Sequence, residues 1–291
     1  MTTPTDPLIL RPREQDLMGL PIRRVLPQAA ARHCGPFVFL DHMGPHILPK
    51  GQGVDVPPHP HIGLATVTWL FSGKMVHKDS LGNDQVIAPG DLNWMTAGRG
   101  IAHSERSPES ERQADSPIEG LQFWVAQPEA TETGAPRFEH VAGKDLPHWH
   151  EAGADWTLVA GEWQEHRAPA KVDSPLVLLD GRSQQAGQIE LKKPSDTWQW
   201  GLYLLKGGLN AQQQPLEKHH LLVTGDTLAL DWEAGTHFVV FGGDPLGTRR
   251  MDWNFVATDP ALIDDARRRW QNHQFDPVPG DDGYVPYPSK K

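Results

Sequence analysis

Short apolar runs punctuated by turn residues dominate the chain. Residues 36–40, 66–71, 74–77, 85–88, 92–95 and 118–125 are β-branched, aromatic or aliphatic, and each run is bounded by Gly, Pro, Asn or Asp. Such residues suit a pleated, half-buried surface, so these segments are predicted strands. Ser80-Leu81-Gly82-Asn83-Asp84, between two of them, has hairpin chemistry. A second series follows at 156–160, 176–179, 188–191, 198–205, 221–223, 227–230 and 237–241. Many short strands at close spacing indicate sandwiches or barrels. Between the series, 127–144 is rich in Pro, Glu and Gly and reads as a linker. Residues 1–35 are polar and interrupted by Pro, with one strand expected at 22–26. Helical periodicity is convincing in one place. Asp259 can cap, Pro260 suits a first position, and Leu262, Ala266 and Trp270 recur at i, i+4 and i+8. From Asp276 onward the chain reads as extended.

The two strand series look like copies. An offset of 135 carries Gly73 to Gly208 and Gly90 to Gly225, each pair in a strand, Gly turn, strand, Gly-Asp turn context. The expectation is an all-β chain of two tandem domains, 1–140 and 141–291, the second including the helix and tail.

Composition supports this picture. The 28 Gly and 27 Pro disfavour a helical fold. A net charge of −10 argues against direct nucleic-acid binding. The one dense basic run, Arg267 to Arg269, follows Asp264 and Asp265 and reads as a solvated face. Cys34 is the sole cysteine, which fits a reducing compartment and a small buried side chain. No leader pattern and no run of about 20 apolar residues is visible, so the expectation is a cytoplasmic protein without a membrane partner.

Two short motifs carry candidate chemistry: His59-Pro60-His61 and His103-Ser104-Glu105. On a strand, residues i and i+2 share a face, so each pair can aim two ligand atoms at one point. The intervening hairpins could fold the second pair against the first, giving three imidazoles and one carboxylate around one metal. With 15 His in the chain, roughly one His-x-His arises by chance, and His148-Trp149-His150 reads as such, in a polar loop. At the offset of 135 the four candidates fall on Pro194, Asp196, Phe238 and Val240, so the second copy lacks the set.

The segments 35–42, 58–69, 77–82 and 89–105, with Gly120-Leu121-Gln122-Phe123-Trp124, resemble the pirin family of the cupins. The run Met95-Thr96-Ala97-Gly98-Arg99-Gly100-Ile101-Ala102-His103-Ser104-Glu105 is its most specific part. The resemblance implies a bicupin, two tandem β-barrel or jelly-roll domains with a short C-terminal helix. It implies a first barrel binding one divalent metal through His59, His61, His103 and Glu105. Iron is the implied metal, with Mn, Ni, Cu or Zn as alternatives. Many pirins carry Glu where this chain has Ala65, which puts the ligands' surroundings and the substrate in question more than the metal.

The implied activity is a dioxygenase of the quercetin 2,3-dioxygenase type, taking a flavonol or related phenolic and O2, with Glu105 as ligand and proton acceptor. The alternative is a redox-responsive, metal-binding regulatory protein that binds a protein partner. Phe37, Phe39, Trp69, Trp94, Phe123 and Trp124 are candidates for an apolar pocket, with barrel core the favoured role for any one of them. By the same resemblance Asp41, His42 and His77 are candidates for supporting the ligands.

Overall fold

The computed structural model describes residues 7–17 and 19–288, whose regular elements are strands apart from one α-helix and two 3-10 turns. It divides into two compact units. The first is built on residues 41–143 and includes 15–22 and the chain from Leu246 onward. The second is built on 144–245, with 23–40 and the chain up to Glu14. The helix, expected with the second domain, therefore packs among residues of the first.

Two sheets make the first barrel. In the larger, Arg137–Val141, Leu92–Thr96, Leu64–Ser72, Ser116–Ala126 and Phe37–Leu48 lie side by side in that order. The smaller has the order Asp55–His61, Ile101–Arg106, Met75–Asp79, Asp84–Ile87, all antiparallel. The stretch expected as linker thus contains a strand, Arg137–Val141, paired with Leu92–Thr96. The predicted hairpin at 80–84 is present. The Asp79 carboxylate ties it by accepting from the N–H groups of Leu81 and Asn83.

The second barrel repeats the plan. Its large sheet runs Leu221–Thr224, Gln199–Lys206, His237–Gly243, Leu176–Ser183, Ala154–Trp163, His148–Glu151, with Leu8–Leu10 added outside Leu221–Thr224. Its small sheet runs Gly187–Leu191, Leu228–Trp232, Leu209–Ala211, Gln214–Pro215. The constant offset of 135 does not survive this topology. The counterpart of Ile101–Arg106 is Leu228–Trp232, whereas Phe238 and Val240 lie on the counterpart of Ser116–Ala126. The register slips because strands and turns of the second copy are shorter; a tight turn through Gln212 and Gln213, at φ 53° and 63°, stands where the first copy has the longer connection at 80–83.

His148–Glu151 is a strand paired with Ala154–Trp163 and not a loop, and His148 and His150 are exposed on it. The helix Pro260–Gln271 begins as expected, with Asp259 accepting from the Ala261 N–H. Its buried stripe is Ile263, Ala266 and Trp270, while Leu262 is only half-buried. The basic run is neutralised locally. Arg267 pairs with Asp252 and Asp264, Arg268 with Asp265, and Arg269 with Asp265. Cys34 is buried, and burial pushes its thiol pKa up. Among the described residues no helix is long and apolar enough to cross a membrane.

Candidate metal centre

Strand alternation builds the site. His59 and His61 sit two apart on Asp55–His61, and His103 sits on the neighbouring antiparallel strand directly opposite His59. The three therefore share one face of the small sheet. Their ring centroids are 4.3 to 5.1 Å apart. One ligand nitrogen from each lies within 4.8 Å of the others. Pro57, Pro58 and Pro60 cannot donate to the ladder, and the register breaks between His103 and Glu105. Glu105 consequently faces Val56 on one side and His77 on the other.

Glu105 stands apart from the imidazole cluster. The group of mutually close ligand atoms contains the three histidines alone. The Glu105 carboxylate instead accepts from the Thr68 hydroxyl at 3.3 Å, and that hydroxyl also lies 3.1 Å from Gln122 Oε1. Burial raises the Glu105 pKa, opposed by His77 and by the Thr68 hydrogen bond.

The hydrogen bonds around the cluster fix its tautomers. His59 Nδ1 is 2.9 Å from the Pro57 carbonyl and His61 Nδ1 is 3.2 Å from the Asn254 carbonyl. A carbonyl only accepts, so both Nδ1 atoms carry hydrogen and both Nε2 atoms present lone pairs. With His77 neutral, its Nε2 donates to Asp79 at 2.9 Å, leaving its Nδ1 to accept from His103 Nδ1 at 3.3 Å. His103 Nε2 is then a lone pair too, and it lies 3.1 Å from His61 Nε2. Two lone pairs at that separation repel, and a cation between them removes the conflict. The donor set thus fits a divalent metal, with carbonyl and carboxylate partners behind the imidazoles as metal-binding histidines usually have.

Burial reinforces this. His61 and His103 are 1% exposed and His59 is 8% exposed. Burial lowers the His59 pKa to about 4 and holds His61 and His103 well below the usual imidazole value, with repulsion among the imidazoles adding to it. The cluster is neutral and ready to ligate at neutral pH.

Of the aromatic candidates, Trp124 packs edge-on against His61 at 5.2 Å. Phe37 and Phe39 belong to the second unit, where Phe37 meets Phe241. His42 pairs with Glu119, and His77, stacked on Phe138 at 4.2 Å, supports His103. Sequence reasoning did not find Asp79, Thr68 or Asn254. The i, i+2 spacing of His77 and Asp79 was available as a signal, whereas nothing local marks Asn254.

Two family models match the chain: Pirin over residues 19–125, and the pirin C-terminal cupin domain over residues 176–276. A Pseudomonas aeruginosa protein provisionally named a quercetin 2,3-dioxygenase is 39% identical over 257 residues, 87% of this chain and 79% of its own. A pirin-like protein of Caulobacter vibrioides is 36% identical over 269 residues, 91% of this chain and 92% of its own. The crystal structure of a quercetin 2,3-dioxygenase from Acinetobacter baumannii superposes with a TM-score of 0.89 at 33% identity, over 98% of this chain and 96% of that one.

Proposed function

The chain belongs to the pirin family, and we propose from that premise that it is a metal-dependent dioxygenase acting on a flavonol or related phenolic. The observation that carries this reading is the convergence of His59, His61 and His103, one ring nitrogen of each within 4.8 Å of the others and the Nε2 atoms of His61 and His103 3.1 Å apart. In this reading iron occupies the cluster and Glu105 completes the set. A bound divalent ion supplies a Lewis-acid centre that couples an anionic substrate oxygen to O2.

The protein's own groups do the rest. Three neutral imidazoles and one carboxylate leave a divalent centre with a net charge of about +1, which favours an anionic oxygen donor. In the same reading Glu105, its carboxylate oriented by the Thr68 hydroxyl, takes the proton of the substrate hydroxyl. Trp124, edge-on to His61, offers an apolar wall for an aromatic ring. The names of the relatives from Pseudomonas and Acinetobacter support the same substrate class.

The test is direct. Protein loaded in turn with Fe, Mn, Ni and Cu is mixed aerobically with quercetin. Loss of the flavonol absorbance, with carbon monoxide released, is expected with at least one metal. Absence of turnover at full loading with all four would overturn the assignment.

A further inference from the structure

We propose that the C-terminal segment, residues 250–285, is a positioning element of the metal centre, holding each ligand-bearing stretch by its own contact. The inference rests on the reading that the histidine cluster holds a metal.

The strand bearing two of the ligands needs outside support. Asp55–His61 is the edge of its four-stranded sheet, and Pro57, Pro58 and Pro60 remove three of its N–H donors. A strand with so few ladder bonds is weakly held by its sheet alone. The C-terminal segment supplies the missing bonds. The Val285 N–H donates to the carbonyl of Pro58, the residue before His59, at 3.0 Å. The Asn254 carbonyl accepts from His61 Nδ1. The Val256 N–H donates to the carbonyl of Ile62, the residue after His61, at 3.2 Å. On the neighbouring strand, Arg106 follows Glu105, and its Nε and Nη2 donate to the two Asp281 oxygens at 2.7 and 2.9 Å.

The approach is close. A Cβ on Gly63 would lie 1.9 Å from the Val256 carbonyl oxygen, and Gly63 also has φ 65°. The segment is itself anchored. The Trp270 indole donates to the Val285 carbonyl at 2.9 Å and stacks on Tyr284 at 4.7 Å. Ile263, Ala266, Trp270 and Val278 share one apolar cluster with Ile62 and Ala102, the neighbours of His61 and His103. The salt bridge to Arg106 also depresses the Asp281 pKa to about 2, as expected of a bidentate pair.

The experiment measures Co(II) affinity and the cobalt ligand-field spectrum for the full chain, Val285→Pro, Asp281→Ala and Asp281→Glu. Val285→Pro deletes a single N–H, and Asp281→Ala deletes the clamp on Arg106. Each is expected to weaken cobalt binding roughly 3- to 30-fold and to alter the spectrum, within the range for groups that orient ligands. Asp281→Glu should recover part of the loss. Circular dichroism limits the comparison to folded protein. If the full chain does not bind cobalt, the metal reading itself fails. If it binds and both disruptive variants match it in affinity and spectrum, the positioning role is overturned.

Discussion

The two barrels share a frame and differ in what fills it. In the first small sheet His103 stands opposite His59 and Glu105 opposite His77. At the corresponding places of the second, Leu230 stands opposite Ile189 and Trp232 opposite Leu209. Leu230, Trp232 and Leu209 are buried in one cluster with Trp156 and Trp200, and Ile189 packs against it. A polar, nitrogen-lined interior has its counterpart in a dry one packed with indole and leucine. Backbone geometry is therefore not what makes the candidate metal centre. A handful of side chains do that, on a frame that also accommodates plain core.

The largest expected effect follows from removing a ligand on one side only. His103→Ala should lower bound metal from one ion per chain to background, a loss beyond the roughly 100-fold of an outer partner. His237→Ala, in the second barrel, should leave metal content unchanged, as read by elemental analysis. A metal loss shared by both variants would break the comparison.

Packing should show the reverse asymmetry. Trp200 is fully buried among the aromatics of the second barrel. Trp200→Ala should cost about 3–5 kcal/mol in denaturant unfolding while sparing the metal content of the protein that remains folded. A cost below about 1 kcal/mol would mean that this interior is not the close-packed core described.

A smaller difference concerns pH. In metal-free protein the buried His59 has a pKa of about 4, whereas in the unfolded chain it returns to 6.5. Between these values the unfolded state binds the extra proton, so stability falls as pH drops from 6.5 towards 4. For this one group the loss amounts to at most about 3 kcal/mol. The metal-bound protein should resist the drop until ligand protonation displaces the ion. Denaturant midpoints across pH 4–7, with and without metal, measure the gap, and coincident curves would contradict it.

Much of this was legible in the sequence because it is local. Alternation put His59 with His61 on a shared face, whereas Glu105, expected to join His103, stands apart beyond the register break; turn chemistry marked the hairpin that Asp79 ties. The capping signal of Asp259 and Pro260 started the helix where it starts. What escaped depends on contacts between distant stretches. Asn254 reaches His61 across 193 positions, and no local pattern announces a backbone carbonyl. The repeat misled for a related reason. The Gly spacing suggests a constant offset, but strands and turns of unequal length in the two copies break it, so the counterparts of His103 and Glu105 are Leu230 and Trp232. The strand Arg137–Val141 was hidden because its Pro- and Glu-rich surroundings mimic a linker.

The central claim is that the first barrel alone grips a cation through His59, His61 and His103. An anomalous-scattering map of metal-loaded crystals, collected at the absorption edge of the metal, tests it most directly. The account predicts a single strong peak, bonded to the Nε2 atoms of those three residues. A peak at the exposed His148 and His150 instead, or a first barrel without one at full loading, would contradict it.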